Sequence, residues 1–434
     1  MTVRPKLFRD PVHDIISFDL ATPSEATVYA LLNTPEVQRL RRIRQLGMTF
    51  LVYHGAEHSR FCHSMGVTHL ALKYYDRLFA GRHADEFDRT TVAAAALLHD
   101  IGHGPFSHVM ERITGVHHEN TTLEIIDDPG SQSHQILAAV DTTLPNRVGR
   151  LLQKQGLGQE TILSDIVSSQ LDADRLDYIL RDAAATGVRI GTYDLARIIG
   201  MAELRDERIT VHQRALEAVE GYLIARFHMY KQVYLHRAGR AAERMLDAVF
   251  RRVRHLLQAG YSFSWSLDHP GIHSLVSGHK LAWKDFILLD DADIWYALKQ
   301  WAGEKDPILA ELCSGLLLRR LYKSVEIDLA DPRGTDGIIR DAREIARNLG
   351  FDPDFQLLVD HSTDTPYRPY QPGSKSSPIH MLDNRSRVVP IEKNSAFCRF
   401  LGEIVHESIR LVVPDSLRSA IRHLAAPEAI PLLL

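Results

Sequence analysis

Residues 92–98 are all apolar helix formers, and they run straight into the adjacent pair His99-Asp100, after which Gly102, Gly104 and Pro105 stop the helix. An imidazole and a carboxylate on consecutive residues are able to share one cation. His103, His108, His118 and Glu119 follow within about twenty residues and add donors of the same kind. A single histidine near a helix end usually caps or packs, but this density of imidazole and carboxylate points to a metal. Two ligands rarely hold an ion, so the rest must come from elsewhere in the chain.

Composition narrows the class. With 434 residues and 45% hydrophobic content, the chain can bury a large core, divided into two or more cooperating units. A formal net charge of −4 gives no basic field of the kind that gathers nucleic acid, so an anionic ligand must be held by locally placed cations. Cys62, Cys313 and Cys398 are odd in number and scattered, which argues against a disulfide framework and for a reducing interior. No cationic leader with an apolar stretch behind it is visible, and no uncharged apolar run reaches about eighteen residues. The expectation is a cytoplasmic protein with no membrane partner.

Residues 6–20 read as a strand or hairpin. Helical periodicity then takes over: Pro35 suits a helix first turn, and residues 36–46 carry Val37, Leu40, Ile43 and Leu46 on one stripe. Further helices are predicted over 66–80, 91–98, 124–126, 133–140, 162–180, 194–202, 211–253, 294–301 and 307–322, so the fold class is mainly α. Past about residue 324 the pattern predicts strands at 324–327, 355–359 and 386–391 and helices at 337–349 and 415–424. A long loop rich in Pro, Ser, Thr and Asp is predicted at 360–387. The expected organisation is a strand segment plus helical core over 1–260 and a helical and α/β region over 261–434.

Two other segments supply donors, His63 in residues 58–66 and Asp174 in residues 169–178. Asp174, Tyr178 and Asp182 follow at i, i+4 and i+8 with Arg175 one step around, so one helix face of about 100° offers two carboxylates, a phenol and a cation. A solvated face with i,i+4 pairs explains that spacing as well. Arg226, Tyr230, Tyr234 and Arg237 form a second face of alternating cation and aromatic ring. Such a face suits a ligand with phosphates and a flat ring; as a packing seam it would bury two arginines, at a cost unless they are paired.

The segments 6–13, 38–47, 59–67 and 99–108, followed by His118-Glu119, residues 174–178 and Arg181-Asp182, resemble in content and order the HD-domain deoxynucleoside triphosphate triphosphohydrolases. The likeness extends over about residues 5 to 240 and is strongest to the catalytic region shared by the mammalian SAM-and-HD-domain member and its bacterial relatives. It implies an HD phosphohydrolase helical core with a smaller C-terminal α/β appendage. It also implies metal ligation by His63, His99, Asp100 and Asp174, a mixed nitrogen and oxygen set that suits Mn, Fe, Ni, Zn or Mg. A second Mg could accompany the triphosphate. Such a metal acidifies a water and polarises the α-phosphate. His118 takes the place of the family's proton-donating histidine, and Glu111 stands where its partner aspartate is expected, one methylene longer.

By the same resemblance, Arg60, His103, His108, Arg175, Tyr178 and Arg226 face the phosphates. Gln45, Leu46, Asp182 and Tyr234 face the deoxyribose, with Tyr234 against Leu46 leaving no room for a 2′-hydroxyl. The implied products are a deoxynucleoside and inorganic triphosphate. Regulated relatives carry activator contacts that match Lys6, Gln38 and Arg41, and the chain offers Arg319 and Lys323 at i, i+4 as a further phosphate clamp. Asn33 stands where an aspartate that reads guanine is expected, and an amide does not present the same two acceptors. A homo-oligomer, dimer or tetramer, with an activating nucleotide at a second site is therefore expected. The alternatives are an HD phosphodiesterase or nuclease acting on oligonucleotides or cyclic nucleotides, and a nucleotide-sensing regulator with a degenerate pocket. Nucleic acid is not the favoured partner.

Overall fold

The computed structural model describes residues 4–82, 84–155, 158–265, 269–278, 281–364, 367, 378–404 and 406–425. It is mainly helical. The chain opens with an antiparallel hairpin, β1 (Lys6–Asp10) and β2 (Asp14–Phe18), in the register Lys6↔Phe18 to Asp10↔Asp14. Behind it pack the helices Pro23–Leu32, Arg60–Phe79, Glu86–Leu98 and Ala173–Thr186.

The alanine-rich helix Glu86–Leu98 is the centre of this core. Asp85 caps it by accepting from Phe87 N, and Val92 through Leu98 are completely buried. Short side chains let the flanking helices approach closely, which brings the His99-Asp100 end into the interior. Gly66 serves the same purpose one helix away: a Cβ there would lie 1.9 Å from Asp177 Oδ1, so only glycine lets the helices Arg60–Phe79 and Ala173–Thr186 come together at this level.

β3 (Ala202–Arg205) and β4 (Arg208–His212) form a second hairpin, which β7 (His380–Leu382) joins in parallel and β8 (Val388–Pro390) extends. Strands from beyond residue 260 thus complete a sheet of the N-terminal region. A separate three-stranded sheet places β9 (His406–Val413) between β5 (Lys323–Glu326) and β6 (Leu358–Asp364), and with the helix Gly334–Asn348 it encloses a small core of its own. This is the C-terminal α/β appendage. Among the described residues no helix is long and apolar enough to cross a membrane.

Several predicted elements are corrected. The stripe at 36–46 is a short helix, Pro35–Gln38, and a 3-10 turn, Arg39–Arg42, ending in extended Ile43; Val37, Leu40 and Ile43 are all buried, so the apolar spacing was read correctly and its conformation was not. The predicted helix 162–180 breaks into Gln159–Val167 and Ala173–Thr186, because Asp172 turns the chain by accepting from Ser169 N and caps the second helix at Arg175 N. The span 211–253 divides into β4, the helix Leu216–Met229, a π turn at Tyr230–Tyr234 and the helix Arg237–Gln258.

The helix predicted to reach 322 stops at Leu317. Arg319 adopts φ +54° and Arg320 N donates back to Gly315 O at 2.7 Å, closing the helix end. Arg319 and Lys323 therefore do not share a helix face: Arg319 Nε donates to Leu51 O, and Lys323 starts β5. The strand at 355–359 lies further on, as β6, and runs into the predicted loop 360–387, which also holds β7; residues 365, 366 and 368–377 of that loop fall outside the described residues. The helix Ala396–Glu403 and the central strand β9 had no counterpart in the sequence reading.

Candidate metal centre and substrate cleft

Four donors predicted from the sequence meet on a buried floor. His63 comes from the first turn of the helix Arg60–Phe79, His99 and Asp100 from the end of Glu86–Leu98, and Asp174 from the first turn of Ala173–Thr186. His63 Nε2 lies 3.0 Å from Asp174 Oδ1 and 3.9 Å from Asp100 Oδ2, and His99 Nε2 lies 3.3 Å from Asp100 Oδ1 and 3.7 Å from Asp174 Oδ1. His99 Nδ1 donates to Ala96 O at 2.8 Å, which leaves the Nε2 lone pair aimed at the carboxylates, buried and without a hydrogen-bond partner. An orphaned imidazole nitrogen among two carboxylates and a second imidazole is what a divalent cation would satisfy, so the residues fit the group.

The floor is held from outside by residues to which the sequence reading gave no role. Asp177 Oδ2 accepts from His63 Nδ1 at 2.8 Å, fixing the tautomer that turns Nε2 inward. Asp177 also accepts from His13 Nε2 at 2.6 Å and from Arg181, which in turn reaches Asp10 at 2.8 Å. The N-terminal hairpin thus braces a candidate metal ligand. Burial works against charge on Asp177, but Arg181, His13 and His63 hold its carboxyl well below the usual range. Burial likewise disfavours the His63 imidazolium, yet Asp174 and Asp177 together push its pKa up to about 10. The signal for Asp177 was present, three residues after Asp174 on one helix.

Above the floor opens a cleft of about 370 Å³. Its wall includes Gln45, Leu46, Arg60, His103, His108, Tyr178, Asp182 and Tyr234 from the sequence reading, together with His118. Asp182 is fixed from both sides, by Tyr234 OH at 2.7 Å and His58 Nε2 at 2.8 Å, so His58 serves the cleft rather than the metal. Gln45 Oε1 is buried without a partner. Arg60 clamps Asp100 and donates to Ser107 Oγ at 2.9 Å.

Arg175 and Arg226 are not on this wall: Arg175 binds Asp172 and Ser169 O, and the Arg226 guanidinium lies over the Tyr230 ring at 4.7 Å. Arg237 is exposed and also absent, and Tyr230, Arg240 and Glu243 line the cleft. The helix breaks at Leu235 and extended His236, between the π turn and the helix Arg237–Gln258, so a constant 3.6-residue repeat does not carry from Tyr234 to Arg237.

The rim is built differently. Phe106 and Ser107 both have positive φ, 53° and 56°, an unfavourable backbone for residues other than glycine. Asp291 holds this bend from a distant helix by accepting from Phe106 N at 3.0 Å and Arg44 N at 3.1 Å. The bend aims His108 at Glu111, 3.2 Å away, and Glu111 also accepts a short hydrogen bond from His118 Nδ1. The His118 ring stacks on His103 at 3.6 Å. Burial works against charge on Glu111, but His108 and His118 hold its carboxyl far below the usual range. The longer glutamate therefore still reaches His118.

The residues expected to contact an activator lie at or near the surface. Lys6 Nζ sits 5.3 Å over the Tyr29 ring, Asn33 donates to Tyr29 O, Gln38 donates to Leu32 O, and Arg41 stacks on Phe61 at 3.6 Å.

The chain matches the HD domain family over residues 60–177 and the HD associated region over residues 193–261. The uncharacterized protein YwfO of Bacillus subtilis is 36% identical over 415 residues, which cover 95% of this chain and 93% of the relative. The deoxynucleoside triphosphate triphosphohydrolase SAMHD1 homolog of Dictyostelium discoideum is 29% identical, with 73% of this chain matched to 60% of that protein. The solved structure of a phosphohydrolase from Bacteroides thetaiotaomicron superposes with a TM-score of 0.80 at 30% identity, covering 94% of this chain and 100% of the other. The chain belongs to the HD-domain phosphohydrolase family. Within it, the chain is related to the SAMHD1 triphosphohydrolases.

Proposed function

We propose that this protein hydrolyses deoxynucleoside triphosphates to deoxynucleoside and inorganic triphosphate. The observation that carries the reading is Asp182, held between Tyr234 and His58 on the cleft wall beside the four-ligand floor. A carboxylate so fixed accepts from a sugar 3′-hydroxyl, and the Gln45 amide adds a second contact. Tyr234 and Leu46 occupy the space a 2′-hydroxyl needs. A divalent cation bound by His63, His99, Asp100 and Asp174 supplies Lewis acidity toward a phosphate oxygen and makes a bound water more acidic.

Arg60, His103, His108, Tyr178 and Arg240 hold and orient the phosphates, with Arg175 and Arg226 adding positive potential from behind the wall. His118, oriented by Glu111, gives a proton to the departing 5′-oxygen. A homo-oligomer in which nucleotide at Lys6, Asn33, Gln38 and Arg41 raises activity belongs to the same reading. The test is turnover of each dNTP against the matching ribonucleotide, with and without GTP. A preference of at least a hundredfold in kcat/KM for the deoxy form is expected, and equal turnover would remove the sugar gate.

A second reading, an HD phosphodiesterase with two metals, is favoured by Asp100, His103 and His118, which offer donor atoms within 4.8 Å of one another. Cleavage of cyclic dinucleotides or single-stranded DNA with no release of triphosphate from dNTPs would select it.

A further inference from the structure

Three imidazoles surround the single carboxylate of Glu111 on the cleft rim. His108 Nδ1 lies 3.2 Å from Oε2, His117 Nδ1 lies 3.7 Å from the same oxygen, and His118 Nδ1 bonds Oε1. One donor atom from each of His108, Glu111 and His118 falls within 4.8 Å of the others. None of these residues belongs to the floor. We propose that Glu111, His108 and His118 form a second metal site for a nitrogen-preferring dication such as Zn2+, with His117 as its movable fourth ligand.

The donor set selects the ion. Imidazoles with one carboxylate are the ligands of tetrahedral zinc, with bonds near 2.0–2.2 Å. Magnesium demands oxygen ligands in an octahedron and is poorly served here. The residues differ in mobility as such a site requires. Glu111 and His118 are largely enclosed, at 17% and 19% side-chain exposure, and His118 is pinned by the His103 ring and by its own backbone N, which donates to Glu111 Oε1 at 3.2 Å. His108 and His117 are open to solvent, at 67% and 79%, and free to swing onto an ion arriving from outside.

A cation seated there replaces the proton shared by Glu111 and His118. The consequence rests on the proposed function: with that pair tied up, proton delivery to the leaving oxygen stops. The rim would thus act as an inhibitory zinc sensor, separate from the catalytic ion.

Metal-free full-length protein titrated with Zn2+ alone, followed by calorimetry and metal analysis, tests the site without reference to activity. Wild type is expected to take two equivalents and Asp174→Ala one. The double variant His108→Ala/His117→Ala, altered only at exposed side chains, should keep the floor equivalent and bind the other at least tenfold more weakly. Wild type taking one equivalent with Asp174→Ala taking none, or two equivalents bound with unchanged affinity by the double variant, overturns the proposal. In turnover assays His117→Ala should keep its basal rate and need at least tenfold more Zn2+ for half inhibition. Equal sensitivity would remove the inhibitory role.

Discussion

The floor and the rim of one cleft are built on opposite plans. On the floor His63, His99 and Asp100 are each gripped by a partner that is not itself a metal ligand, namely Asp177, Ala96 O and Arg60, and Asp174 starts the helix that carries Asp177. On the rim two of the imidazoles around Glu111 are exposed, the helix His108–Thr114 is only two turns long, and a cavity of about 60 Å³ lies behind Glu111 and His118. Fixed geometry suits a resident cation, whose ligands must not rearrange. Looser geometry suits groups that hand over a proton or exchange a ligand.

The sharpest way to break this comparison is to damage the floor. Asp174→Ala should lose the bound ion and at least a thousandfold in turnover while keeping its helical circular dichroism; activity within tenfold of wild type would refute the floor assignment. Damage to the rim should separate chemistry from metal binding. Glu111→Gln is expected to lower kcat by about a hundredfold, the usual scale of a positioned proton donor, with the floor equivalent of metal retained by elemental analysis.

Smaller effects probe the supports. Asp177→Asn should weaken metal affinity by about ten- to a hundredfold, as loss of an outer partner does, and saturating metal should restore most of kcat. Asp291→Ala releases the bend at Phe106 and Ser107, so kcat/KM should fall by about tenfold and metal affinity should not change; the two titrations together check this.

The smallest effect on turnover is expected away from both regions. Burial pushes the Asp165 carboxyl up to about 6, with Asp172 adding to it and Lys154 opposing. A raised carboxyl costs nothing below the unfolded value near 3.8, where it is protonated in both states; its penalty builds as pH rises from there to about 6 and is constant above. Asp165→Asn should therefore stabilise the protein by about 1–3 kcal/mol above pH 6 and not at all near pH 4, read from unfolding midpoints against pH.

What the sequence showed depended on how local the arrangement was. Asp174, Tyr178 and Asp182 sit on one uninterrupted helix, so their spacing alone predicted a common face, and all three line the cleft. Residues 99–108 were legible because a helix ends there in the sequence itself. The face from Arg226 to Arg237 was misread because the helix breaks within it, at Leu235 and His236. Asp291 and His13 reach the site across 185 and 164 residues of sequence, and no periodicity carries that information. Arg319 and Lys323 were misread for a similar reason, since Arg319 closes its helix in a left-handed conformation usually left to glycine.

The central claim concerns the bond that breaks, and water labelled with 18O tests it directly. Incubation of metal-loaded protein with a dNTP in labelled water, followed by 31P NMR and mass spectrometry, locates the incoming oxygen. Attack on the α-phosphorus with departure of the 5′-oxygen puts one label on a terminal phosphate of intact inorganic triphosphate and none in the deoxynucleoside. Release of pyrophosphate and a nucleoside monophosphate, or label in the nucleoside 5′-hydroxyl, would contradict the account.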